Sequence, residues 1–183
     1  MLLFTFLLYL IEGYDQSTGQ VLDREDGIVA HDPNHLLGIL TAPLLHAGWL
    51  HLESNTLPFL IFGFLAMAGG LAQFVLVTAL VWVTSGLGVW LFAPPGTTTV
   101  GVSGVIFGWL VFLLFRGFFA GSAKQILLAV VLFLLWGGVL LGVLPGQPGI
   151  SWQAHLFGAI GGILAAALVA GGRRRDGDPV VPR

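Results

Sequence analysis

The stretch Gly101-Val102-Ser103-Gly104-Val105-Ile106-Phe107-Gly108-Trp109-Leu110-Val111-Phe112-Leu113-Leu114-Phe115 decides how this chain is read. It opens on a serine and then turns apolar, and the apolar segment covers residues 102–119, close to the roughly 20 residues that cross a bilayer as a helix. A polar side chain at the head of such a segment is costly in hydrocarbon, so it faces a bundle interior or a wet cavity. Gly104 and Gly108 stand four apart, a GxxxG spacing that lets another helix approach the backbone closely.

Two more apolar segments begin in the same way. His51 and Asn55 lie near the start of residues 49–68. Ala154-His155 opens residues 152–170, which carry a second GxxxG at Gly158 and Gly162. Residues 71–92 and 126–144 complete five membrane-length segments. Residues 2–11 are apolar but about half the length a span needs, and read as a short or truncated first helix. A signal peptide fits less well, because no basic residue precedes the run and no small-residue cleavage site follows it.

Composition agrees. The 183 residues are 56% hydrophobic and only 9% charged, with a mean hydropathy of +0.94, far from the soluble norm. The expected fold class is an all-α, polytopic bundle of six transmembrane helices. One membrane domain spans residues 1–172, and a basic tail at 173–183 is expected to be disordered and cytoplasmic. The absence of cysteine excludes disulfides, thiolate chemistry and cysteine-ligated metal. A net charge of −2 gives no reason to expect a nucleic-acid partner. Residues 12–34 read as a polar, acidic loop with Asp15, Asp23, Glu25, Asp26 and Asp32.

Orientation follows from the basic residues, which stay on the cytoplasmic side of short loops. Arg116 and Lys124 flank the turn between the fourth and fifth segments, and Arg173-Arg174-Arg175 follows the sixth. An even number of crossings separates them, so both termini are expected inside and the acidic loop outside, in what reads as a bacterial plasma membrane. The second, fourth and sixth segments then all run inward, and His51, Ser103 and His155 share one depth near the outer face.

That shared depth makes a site. His51 and Asn55, about 6 Å apart along the axis at 1.5 Å per residue, project from one helix face. If the glycine faces of the fourth and sixth helices meet, Ser103 and His155 come within hydrogen-bond reach. A serine hydroxyl is a weak nucleophile until a base takes its proton, which a neutral imidazole does. Ser103 is thus the candidate nucleophile and His155 the candidate base, then acid. His51, Asn55 and the Ser103 amide are the available donors for an oxyanion. No cofactor and no metal is expected: three imidazoles from His46, His51 and His155 would suffice for zinc, but no HExxH pattern accompanies them. His46 falls off the His51 face and is expected at the segment's entrance.

Taken in order, His46-Ala47-Gly48-Trp49-Leu50-His51 with Asn55, Gly101-Val102-Ser103-Gly104, and Ala154-His155 with Gly158 and Gly162 resemble the motifs of rhomboid intramembrane serine proteases, over about residues 36–170. The resemblance implies a six-helix fold, a Ser103 and His155 dyad without a catalytic acid, and an oxyanion site of His51, Asn55 and the Ser103 amide. It also implies that Gly101 shapes the turn before the nucleophile and that Phe107 packs beside His155. Substrates would be transmembrane segments of other proteins, cut at small residues near helix breakers, with the lipid bilayer as the medium and the oligomeric state open. Three features depart from the pattern: no tryptophan-arginine pair stands in residues 12–34, Met67 occupies a position where bacterial members often carry glutamate, and the first helix is short.

Alternatives from other classes stay open. Ser103 could cap or pack a helix, His155 could bond the preceding loop, and His51 with Asn55 could bridge helices. The chain would then be a catalytically silent binder of membrane clients. A small transporter fits less well, since there is no internal repeat and no midplane charge.

Overall fold

The computed structural model describes residues 1–177. The first apolar run continues past residue 11 as helix α1 (Leu2–Ser17). Gln16 Nε2 donates to Glu12 Oε1 at 2.8 Å, one turn away, and the buried Leu8, Glu12 and Asp15 lie on one face. The acidic stretch that follows is not the irregular loop expected. Asp15 Oδ1 accepts the Leu22 N–H at 2.7 Å and so satisfies a free amide in the first turn of α2 (Val21–Asp26). Strand β1 (Ile28–Val29) and the short helix α3 (Gly38–Thr41) come next.

The long helices are α4 (Trp49–Met67), α5 (Leu71–Phe92), α6 (Ser103–Ala120), α7 (Ala123–Trp136) and α8 (Trp152–Gly177), with strand β2 (Thr98–Thr99) before α6. Among the described residues, five helical stretches are long and apolar enough to cross a membrane, counting α7 with its extension. At 16 residues α1 is shorter. It nonetheless packs along α4 as a sixth helix, with Phe4 stacked on Phe59 at 5.5 Å and Tyr9 Oη 3.1 Å from Thr56 Oγ1. The architecture is therefore an all-α, multi-pass membrane bundle.

Two boundaries differ from expectation. The fifth span is not one α-helix: α7 ends at Trp136 and residues Gly137–Val143 wind as a tighter 3-10 segment. Gly137, Gly138 and Gly142 supply the reason, because glycine gives the α-helix little support. Helix α8 carries the backbone of the Arg173-Arg174-Arg175 run on to Gly177, so the irregular tail expected from residue 173 does not begin there. Its remainder, residues 178–183, lies outside the described residues.

Helix α6 is the centre of the bundle. Every residue from Gly104 to Leu114 is buried, the mark of a helix enclosed on all sides. Helix α8 lies against it through glycine: a side chain at Gly108 would come within 2.8 Å of the Gly158 carbonyl, and one at Gly162 within 2.9 Å of the Phe112 amide. Leu3, Leu50 and Leu134 face outward on the periphery, as a lipid-solvated protein requires. Above the bundle, β1 and β2 pair antiparallel, Ile28 with Thr99 and Val29 with Thr98. This ribbon ties the first loop to the segment that leads into α6.

Candidate active site

Ser103 is the first residue of α6, where backbone amides have no partner within the helix. The turn before it depends on Gly101. Its φ of 119° is a conformation side chains rarely adopt, and a Cβ there would lie 2.6 Å from His51 Cε1. The Gly101 N–H donates to the Ala42 carbonyl at 2.9 Å, which anchors the approach to the serine.

His155 sits in the first turns of α8. Its Nδ1 is 3.1 Å from the Gly142 carbonyl in the 3-10 segment. A carbonyl only accepts, so Nδ1 carries the proton and Nε2 presents its lone pair. That nitrogen is 2.9 Å from Ser103 Oγ, and the serine hydroxyl donates to it. Phe107, one turn along α6, stacks on the imidazole with centroids 3.8 Å apart and planes 10° from parallel. Helices α6 and α8 come this close because Gly104 and Gly158 face each other: a Cβ on Gly158 would collide with the Gly104 carbonyl, and one on Gly104 would lie 3.0 Å from the Ala154 carbonyl.

His51 and Asn55 line the same cavity from α4, together with Ser103 and His155, in a volume of about 620 Å³. The Ala47 N–H donates to His51 Nδ1 at 3.3 Å, which leaves the proton on Nε2. Asn55 is buried, and its Nδ2 has no hydrogen-bond partner. An amide N–H₂ without a protein partner at the cavity wall has its donors free for a group that enters the cavity. The arrangement thus combines a hydroxyl hydrogen-bonded to a neutral imidazole with nearby N–H groups, which is what nucleophilic attack on a carbonyl needs.

The remaining polar residues fall elsewhere. His31 Nε2 donates to the Ala93 carbonyl at 3.1 Å, and His35 pairs with Asp32 at 2.8 Å. Glu53 is exposed. Among the described residues no three His, Asp or Glu side chains are placed to hold a metal. His46 departs from expectation. It stands at the entrance to α4, but its ring is buried against His51, with centroids 5.2 Å apart. Sequence reasoning also missed the Gly142 carbonyl, the Ser85 hydroxyl that donates to the Ala154 carbonyl at 2.9 Å, and the Thr98–Thr99 strand along the cavity wall. The glycines of residues 137–142 were the one available signal, since they mark a break in the fifth span.

Comparison with known proteins gives a consistent picture. The Rhomboid domain family profile matches residues 33–172. An uncharacterized protein of Mycobacterium tuberculosis (strain ATCC 25618 / H37Rv) is 45% identical over 183 residues, covering 96% of this chain and 76% of that protein. An uncharacterized protein of Mycobacterium leprae is 47% identical, with 96% and 72% covered. A Bacillus subtilis protein named "Putative rhomboid protease YdcA" is 33% identical over 135 residues, 71% of this chain and 65% of its own length.

Proposed function

This chain belongs to the rhomboid family, and from that premise we propose that it is an intramembrane serine endopeptidase acting on transmembrane segments of other membrane proteins. The observation that carries the reading is the 2.9 Å contact from Ser103 Oγ to His155 Nε2, with the opposite imidazole nitrogen held by a main-chain carbonyl. Ser103 Oγ attacks the scissile carbonyl while its proton passes to His155 Nε2. The oxyanion that forms takes hydrogen bonds from His51 Nε2–H, Asn55 Nδ2–H and the Ser103 amide. His155 then protonates the leaving amine. A water that yields its proton to His155 releases the acyl group from Ser103. Gly101, Gly104, Phe107, Gly158 and Gly162 shape and close-pack this site.

Hydrolysis needs water and an extended backbone, whereas helical amides in a membrane are already paired. The substrate segment therefore unwinds locally to enter the cavity. The basic residues at 116, 124 and 173–175 favour an orientation with both termini cytoplasmic, placing the cavity at the outer face of a bacterial plasma membrane. Residues 1–172 act as one membrane domain.

The test is covalent labelling of the detergent-solubilised protein by an alkyl fluorophosphonate. Labelling of the wild type that disappears in both Ser103→Ala and His155→Ala is the expected result. A folded wild type that takes no label overturns the enzymatic reading in favour of a non-proteolytic client binder.

A further inference from the structure

His46 does not line the cavity, yet it is among the most enclosed polar residues in the protein. It is 1% exposed, and neither ring nitrogen has a hydrogen-bond partner. Burying unpaired polar atoms is costly, so the contacts of this ring are informative. One of them is with His51: the two planes meet edge-on at 66°, with centroids 5.2 Å apart. Burial, with His51 nearby adding to the effect, lowers the His46 imidazole to about 3. The ring is therefore uncharged and does not repel its neighbour.

The backbone around His46 points the same way. Its carbonyl accepts the Gly48 N–H at 2.8 Å, closing a tight turn in which Gly48 has a φ of 111°. That turn directs the Ala47 N–H onto His51 Nδ1. At 3.3 Å this bond is near the outer limit of useful geometry and is too weak to fix the imidazole alone. The His51 ring is also in contact with the Gly101 backbone, where no Cβ would fit. The segment from Ala42 to His51 is thus a strap. One end holds the Gly101 amide, and the other carries His51.

We infer that His46 is a positioning residue for His51: its buried ring walls the neighbouring imidazole, and the turn it anchors presents the Ala47 amide that keeps the proton on Nε2. This inference rests on the proteolytic reading given above, in which His51 Nε2–H serves the oxyanion. His46 itself touches no reacting atom.

The test is the inactivation kinetics of the detergent-solubilised protein with an alkyl fluorophosphonate. In that reaction Ser103 Oγ bonds to phosphorus, fluoride leaves, the hydroxyl proton passes to His155, and charge builds on the phosphoryl oxygen. The maximal rate kinact and the half-saturating concentration KI are measured for wild type, His46→Ala, His46→Phe, His51→Ala and the His46→Ala/His51→Ala double variant, each with a thermal unfolding curve.

Misplacing one oxyanion donor is expected to lower kinact about tenfold in His46→Ala at unchanged KI. His46→Phe keeps the ring wall and is expected to stay within about threefold of wild type. In the His51→Ala background the second substitution is expected to cost less than about twofold, because the group it positions is gone. Losses that add fully in both backgrounds, an unaltered kinact in folded His46→Ala, or a tenfold loss in folded His46→Phe each overturn the positioning role while leaving the labelled serine in place. Should His46→Ala fail to fold, His46→Asn takes its place with the same expectations. A wild type that takes no label removes the proteolytic reading and this inference with it.

Discussion

His155 Nδ1 donates to the Gly142 main-chain carbonyl at 3.1 Å, so a peptide group from the broken fifth span, and no carboxylate, sets which imidazole nitrogen faces Ser103. The hold is steric as well as polar. A Cβ on Gly142 would sit 2.8 Å from His155 Nδ1 and 2.9 Å from Phe107 Cζ. Gly142→Val is therefore expected to displace the imidazole and slow fluorophosphonate labelling at least about tenfold, since small misplacements of reacting groups are costly. An unchanged labelling rate in the folded variant would show that the carbonyl does not orient the ring.

Asn55 offers the cleanest probe of charge stabilisation, because its Nδ2 is buried at the cavity with no other partner to lose. Asn55→Ala is expected to lower the maximal labelling rate by about 10²-fold, the usual order for one oxyanion donor. Its melting temperature should hardly fall, as no intramolecular bond to Nδ2 is broken. A stable variant with wild-type kinetics would argue against the donor role.

Closeness of α6 and α8 makes a separate prediction about stability. Gly158→Ala places a methyl group against the Gly104 carbonyl, and such overpacking costs about 1–3 kcal/mol. Melting temperature should drop by several degrees, with labelling lost in parallel as Ser103 and His155 move apart. Gly149→Ala serves poorly as a control because its φ is 73°. Gly138→Ala serves well, since nothing lies near that position. Equal melting temperatures for Gly158→Ala and Gly138→Ala would contradict the packing account.

The first loop carries its own pH dependence. Burial, helped by the nearby charges of Asp15 and Glu12 and opposed by Arg24, pushes the Asp23 carboxyl up to about 7. The folded loop therefore keeps a proton that the unfolded chain releases near its ordinary value of about 3.9. The stabilisation is complete below that ordinary value and disappears as pH rises through about 7. Amide exchange of residues 20–29, corrected for its intrinsic rate, should accelerate as pH rises from about 4 to about 7 and level off above that. Asp23→Asn should flatten the profile, and an identical profile in that variant would exclude Asp23 as the titrating group.

How much of this was legible in the sequence depended on whether a feature has a residue-type signature. The convergence of His51, Ser103 and His155 on one cavity followed from counting crossings, and the facing glycines followed from four-residue spacing, because both are properties of helices as rods. The Gly142 carbonyl was invisible for the opposite reason. Any residue supplies a carbonyl, and only the 3-10 winding of Gly137–Val143 turns this one toward His155. The acidic stretch misled because polarity is a cue for loops, whereas Asp15 caps α2 and lies buried. His46 misled because helical geometry was extended one turn too far: the chain bends at Gly48, and the bend returns its ring to His51.

Ser103 and His155 are separated by 52 positions along the chain, and the second arrives only with α8. As the protein is synthesised and its helices enter the bilayer in order, the serine is in place while its imidazole is still unmade, and the Gly142 carbonyl waits with it. In the proposed reading a nascent chain thus carries an inert hydroxyl, and competence appears in a single step when α8 docks on the glycine face of α6. If that reading holds, translation order itself protects the neighbouring membrane proteins from a half-built protease.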